Sequence, residues 1–155
     1  MRKLSILFSF LSISIFSFSQ IGNAPRIQWQ RCLGGSGPDV VDDNFPNIYT
    51  SEQKPLIVTA DGGYMLGGTV QSNDGDVSGS HGGNDIWLVR LDRFGNTVWM
   101  KTFGGSANEL IGGIRETADH NFVIAGSSNS NNGDVSGNHG TYDAWVFNID
   151  GNGNL

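Results

Sequence analysis

Asp61-Gly62-Gly63-Tyr64-Met65-Leu66-Gly67-Gly68 returns 58 positions later as Asp119-His120-Asn121-Phe122-Val123-Ile124-Ala125-Gly126. The same offset of 58 carries Gly75-Asp76-Val77-Ser78-Gly79 onto Gly133-Asp134-Val135-Ser136-Gly137, His81-Gly82 onto His139-Gly140, and Asp85-Ile86-Trp87 onto Asp143-Ala144-Trp145. Upstream, Trp29-Gln30-Arg31-Cys32-Leu33-Gly34-Gly35-Ser36 recurs as Trp99-Met100-Lys101-Thr102-Phe103-Gly104-Gly105-Ser106 at an offset of 70. The first copy therefore holds 12 extra residues between Ser36 and Asp61, in the polar, Pro-containing stretch around Asp42 to Lys54. Such self-similarity is the signature of a repeat architecture.

Within each copy the runs are short, β-branched and aromatic, and punctuated by Gly, Asn and Asp, which predicts strands. In the second copy they are expected near Thr97–Phe103, Ile111–Thr117, Asn121–Ser127 and Ala144–Ile149. Trp87, Val89 and Leu91 alternate with Leu88 and Arg90, and Trp145, Phe147 and Ile149 with Val146 and Asn148, so one face of each strand is strongly apolar. Asp61-Gly62-Gly63 and Asp119-His120-Asn121 read as tight hairpin turns, and Asp92 to Asn96 as a longer one. The expected fold is all-β, with two propeller-type blades of four antiparallel strands.

Composition agrees. The 155 residues include 23 glycines, all after residue 20, which disfavours long helices. Beyond the first three residues, seven cations face fifteen acids, a balance of −8 that disfavours a phosphate-tracking nucleic-acid surface. Residues 1–19 read as a secretory signal peptide: Arg2 and Lys3, an apolar run from Leu4 to Phe18 diluted by serines, then small residues before Gln20. The run is too short and too polar for a membrane anchor. Cys32 stands alone, so no internal disulfide can form. The chain thus divides into a signal peptide (1–19), a first repeat with the insertion (20–96) and a second repeat (97–155) that stops before its last strand.

The order Gly-Gly-Ser, a strand, Asp-Gly-Gly-Tyr, Gly-Gly-Thr, then Asn84-Asp85-Ile86-Trp87-Leu88-Val89-Arg90-Leu91-Asp92, resembles the bacterial β-propeller repeat called SBBP. The variant with Gly-Asp-Val-Ser-Gly and His-Gly is similar to repeats in large surface proteins exported by the type IX route of Gram-negative bacteria. The resemblance covers nearly all of residues 29–155. It implies a secreted or outer-surface binding scaffold with no defined reaction. Two features depart from the pattern: the insertion after Ser36, and the lack of a C-terminal sorting domain in this sequence. Two blades do not close a ring. The expectation is an N-terminal piece of a longer protein, the alternative being a ring assembled from several chains.

A catalytic constellation is not legible. Gly34-Gly35-Ser36-Gly37-Pro38 and Gly104-Gly105-Ser106-Ala107-Asn108 both miss the nucleophile-elbow pattern, and no phosphate loop with its Lys is present. His81 and His139 read first as histidines of Gly-rich turns, and Cys32, matched by Thr102, as a buried or semi-buried small residue of a strand. The tryptophans Trp29, Trp87, Trp99 and Trp145 fall at repeated strand positions and read as packing between blades. Tyr49, Tyr64 and Tyr142 are the aromatics expected to be exposed.

One cofactor reading is specific. Asp74, Asp76 and Ser78 stand at loop positions 1, 3 and 5, with Gly79 at 6 and Asp85 at 12, the spacing of a calcium loop. The second copy offers Asn132, Asp134, Ser136 and Asp143 with one formal charge fewer. The same residue types also make an ordinary long turn. The partner expected is a protein or carbohydrate ligand, together with further blades from the same or other chains. A small oligomeric lectin and a fragment of an exported propeller hydrolase stay open as alternatives.

Overall fold

The computed structural model describes residues 26–41 and 56–155. The signal-peptide reading, Tyr49 and the insertion around Asp42 to Lys54 lie outside them. Eight strands run in chain order: β1 Asp39–Val40, β2 Leu56–Val58, β3 Tyr64–Val70, β4 Asp85–Leu91, β5 Thr97–Phe103, β6 Glu109–Glu116, β7 Phe122–Ser128 and β8 Asp143–Ile149. All pairings are antiparallel, and no helix occurs among the described residues. The chain is all-β.

The strands form two sheets. In the first, β3 pairs with β4 and β4 with β5, while β1 and β2 share the outer edge of β3. The second has the order β6-β7-β8. Asp39 faces Val70 and Leu56 faces Leu66 in the first sheet, where Glu109 faces Ser128 and Ile114 faces Ile124 in the second. The short strands β1 and β2 are therefore the two ends of the strand that β6 makes in one piece. The extra residues of the first copy fall where β6 has its register shift, between Ile111 and Gly113. A bulge leaves a residue unpaired and is the least disruptive place to open a strand.

Sequence copy and sheet are offset by one strand. β5 opens the second sequence copy, yet it pairs along β4 and completes the first sheet. Its counterpart, Trp29 to Ser36, forms no strand. Trp29 instead rests edge-on against Tyr64, with centroids 5.4 Å apart, and on the Cα of Gly95, where a Cβ would come within 2.6 Å of the indole. Trp99 lies in the same way on Gly153 of the second sheet. Unlike β5, the segment Trp29 to Ser36 rests on the first sheet through Trp29 and Leu33 without pairing to a strand. A consequence is that Cys32, expected to be at least half-buried, is exposed.

The two sheets stack through faces that are not equivalent. Met65, Ile86, Leu88 and Phe103 of the first meet Ile111, Ile114, Phe122, Ile124, Phe147 and Ile149 of the second. Each fully buried side chain of this size contributes about 1.5–3 kcal/mol, so this layer is the main apolar source of stability. Gly67 is needed there, because a Cβ would strike the Ile111 and Ile114 methyls. The opposite face of the first sheet gathers Val70, Trp87, Val89 and Leu91 with Val77, Leu33 and Tyr64. The opposite face of the second is open: Ala125, Ala144 and Asn148 are exposed, and Val146 is 63% exposed.

Candidate functional site

Both Asp-rich loops turn their oxygens toward the Gly-Gly-Ser of their own copy, Gly34 to Ser36 and Gly104 to Ser106. Asp74 Oδ1 accepts from Ser36 N at 2.7 Å and Asp76 Oδ2 from Gly34 N at 3.3 Å. In the second copy Asn132 Oδ1 accepts from Ser106 N at 2.9 Å and Asp134 Oδ2 from Gly104 N at 3.1 Å. Backbone bonds run the other way, from Asp76 N to Gly34 O and from Asp134 N to Gly104 O. The loop and the Gly-Gly turn thus satisfy each other's polar groups, as half-buried backbone requires. The amide and hydroxyl of Ser36 hold the Asp74 carboxyl below its ordinary range.

Asp85 and Asp143 do something different. Asp85 Oδ2 accepts from His81 N at 2.8 Å and Ser80 Oγ at 2.9 Å, and Asp143 Oδ2 from His139 N at 2.7 Å. Each carboxylate closes its own His-Gly turn. Ser78 and Ser136 are exposed, and the Ser78 carbonyl accepts from Thr102 Oγ1 at 3.0 Å. Loop residues at positions 1 and 3 therefore point to one place and those at position 12 to another. Among the described residues no group of three or more His, Cys, Asp or Glu side chains is gathered as a metal ion needs. The oxygens at positions 1 and 3 accept hydrogen bonds from backbone amides of the Gly-Gly-Ser turns.

Where the two sheets meet, these turns enclose residues that the sequence reading passed over. Glu109 is fully buried and accepts from Gly105 N at 2.8 Å and Ser128 Oγ at 2.6 Å. Asp39 does the same in the first copy with Gly35 N and Ser72 Oγ. Gly104 lies against both Glu109 and the buried Asp85, whose carboxylates occupy the space a Cβ would take. Asp85 Oδ1 has no hydrogen bond, and the His81 ring stands 3.5 Å from it and 3.7 Å from Asp134 Oδ2.

At the hairpin end, the sheets part around a recess of about 420 Å³ lined by Ala60, Asp61, Arg90, Glu116, His120, Phe122 and Gly151. Arg90, 8% exposed, reaches Asp61 Oδ2 at 2.6 Å and the Leu91 carbonyl at 2.5 Å. The Thr59 hydroxyl first, then Arg90 and the Gly63 amide, hold the Asp61 carboxyl far below its ordinary range. Glu116 bridges the sheets, accepting from Ala60 N at 2.7 Å, and its other oxygen lies 3.1 Å from His120 Nδ1. His120 is the described non-glycine residue with positive φ, at 63°. Carboxylates, a guanidinium and an imidazole around a small recess suit hydrogen bonding to a polar ligand. No Ser or Cys lines the recess. The signal for it was present in the sequence: Arg90 is the one charge inside the apolar run from Ile86 to Leu91.

Compared with known proteins, the chain matches no family model and no curated protein. No helix of the described residues is long and apolar enough to cross a membrane.

Proposed function

We propose that this chain is part of a secreted or cell-surface β-propeller-type repeat scaffold of the SBBP kind, exported from a Gram-negative bacterium and used for binding or adhesion without catalysis. The observation that supports the reading is the stacking rule. The face of the first sheet that receives the second has its counterpart, on the second sheet, left open, so the arrangement is head-to-tail and extends by repetition. Isologous pairing would have used the same face twice and closed on itself. The Trp29–Gly95 and Trp99–Gly153 contacts repeat the same junction. Export is carried by residues 1–19, and the expected product begins at Gln20.

The recess at the junction favours a carbohydrate as the ligand. Its volume lies within the range of small-molecule sites, and its polar lining suits several hydroxyls at once. The test is a glycan array probed with the labelled exported chain. Retention on defined glycans, lost in Glu116→Gln, supports the reading. Turnover of ester, peptide or glycoside substrates by the parent chain would overturn the non-catalytic scaffold, and an array without retention would overturn the carbohydrate ligand.

A further inference from the structure

We infer that Asn132–Gly133 is a deamidation site, at which the second Asp-rich loop converts its asparagine into the aspartate that the first loop carries at Asp74. The chain holds two Asn–Gly pairs, Asn132–Gly133 and Asn152–Gly153. A glycine after asparagine brings no Cβ to hinder its backbone nitrogen from approaching the side-chain amide. By sequence the two pairs are equal. By structure they are not.

Both asparagines are exposed, but Gly133 is exposed where Gly153 is buried. Gly133 N makes no hydrogen bond among the described residues. Gly153 N donates to Asp150 O at 3.0 Å, and the Trp99 ring lies over its Cα, where a Cβ would come within 3.2 Å. The Asn152 turn is closed further by Asp150 Oδ1, which accepts from Asn152 N and Asn154 N at 2.8 Å each. Across the Asn132–Gly133 pair the turn is closed by one long backbone bond, Val135 N to Asn132 O at 3.2 Å. The Asn132 side chain is also set for the reaction. Ser106 N donates to its Oδ1 at 2.9 Å, while Nδ2, the leaving group, makes no hydrogen bond among the described residues. A fixed N–H at that oxygen stabilises the charge that gathers there when a nucleophile adds to the carbonyl.

In the reaction the Gly133 nitrogen adds to Asn132 Cγ and forms the N–Cγ bond. Its proton passes through water to Nδ2, and the Cγ–Nδ2 bond breaks to release ammonia. Water then adds to one carbonyl of the cyclic imide and opens it, giving aspartate or its isomer in which the chain runs through the side-chain carbonyl. The aspartate fits the loop, because Asp74 Oδ1 already accepts from Ser36 N at 2.7 Å as Asn132 Oδ1 does from Ser106 N. The second loop thereby gains one negative charge beside Asp134 and equals the first.

The inference is tested by peptide mapping with mass spectrometry on the chain held folded at neutral pH and sampled over time, with a parallel sample in urea. In the folded chain the change of amide to acid is expected to be roughly tenfold faster at Asn132 than at Asn152, because the hydrogen bonds of the Asn152 turn must open first. In urea the two rates should come together. Equal rates in the folded chain, a faster Asn152 or an Asn132 that stays intact would overturn the inference, and so would a difference that persists unchanged in urea. Asn132→Asp is expected to melt where the parent melts, and a lower midpoint would overturn the fit of the product.

Discussion

His120 takes φ 63° at the turn position that Gly62 holds at 82° in the first copy. The two turns are otherwise alike, with Thr59 N to Gly63 O and Thr117 N to Asn121 O both at 2.9 Å. A side chain in the left-handed region costs roughly 1–2 kcal/mol. His120→Gly is therefore expected to raise the thermal midpoint by several degrees, and Gly62→Ala to lower it, as read by circular dichroism. The strained residue is also the one whose ring meets Glu116 at the recess. If the recess binds a ligand, His120→Gly should stabilise the chain while weakening retention, the trade expected when strain is kept for function.

Gly104 and Gly137 separate two reasons for a glycine. At Gly104 a Cβ would collide with the Asp85 and Glu109 carboxylates, which are buried. At Gly137 a Cβ meets nothing within 4 Å, but φ is +80°. Gly104→Ala must displace a hydrogen-bonded buried acid and is expected to cost about 3 kcal/mol or more. Gly137→Ala carries backbone strain alone, about 1–2 kcal/mol. Urea titrations of the two variants should rank them in that order, with the m-value unchanged.

The strand pattern was legible because period-two alternation and the repeated Gly and Asp turns act locally. Three of the four strands expected in the second copy fall within one or two residues of β5, β7 and β8, and β6 begins two residues earlier than expected, at Glu109. The segment 27–33 shows the limit. It has the residues of a strand, but a strand exists only with a partner, and its sequence does not say where the partner is. The Asp loops show another: Asp, Asn, Ser and Gly serve equally as cation ligands and as acceptors for amides. The sign that bears on the choice is Asn132 in place of Asp74: both accept a Ser N–H, although an asparagine oxygen is also an ordinary calcium ligand. Glu109 was missed because an acid at a strand start looks exposed until the Gly104 turn folds over it.

Asp74→Asn turns that sign into an experiment. As an acceptor for Ser36 N, asparagine should serve as Asn132 serves Ser106. The variant is expected to melt where the parent melts, and Asp74→Ala to melt lower. A chelator should leave all three curves in place. A calcium loop would behave otherwise: added calcium would raise the parent's midpoint by linkage, and Asp76→Ala would abolish most of that rise.

Acid should unfold the chain through its turns. Asp61, Asp74, Asp92, Asp119, Asp143 and Asp150 all lie below the ordinary carboxyl value of 3.8, held there chiefly by Thr59, Ser36, Asn96, Thr117, His139 and Asn154. Because the folded values are the lower ones, the native state favours the charged form. That contribution is complete above the unfolded value and is lost as pH falls through 3.8 toward the folded values. The melting temperature is therefore expected to fall steeply below about pH 4, through protonation of many small sites rather than one large one. Asp61, Asp74 and Asp119 are exposed and Asp92, Asp143 and Asp150 half-buried, so each alone contributes little and salt weakens the Arg90 component first. Asp61→Asn should flatten the acid limb more than Asp150→Asn, since Asp61 is the most strongly lowered and meets Arg90 as well as the turn. A midpoint that stays level down to about pH 2.5 would mean that these carboxylates do not cap their turns in solution.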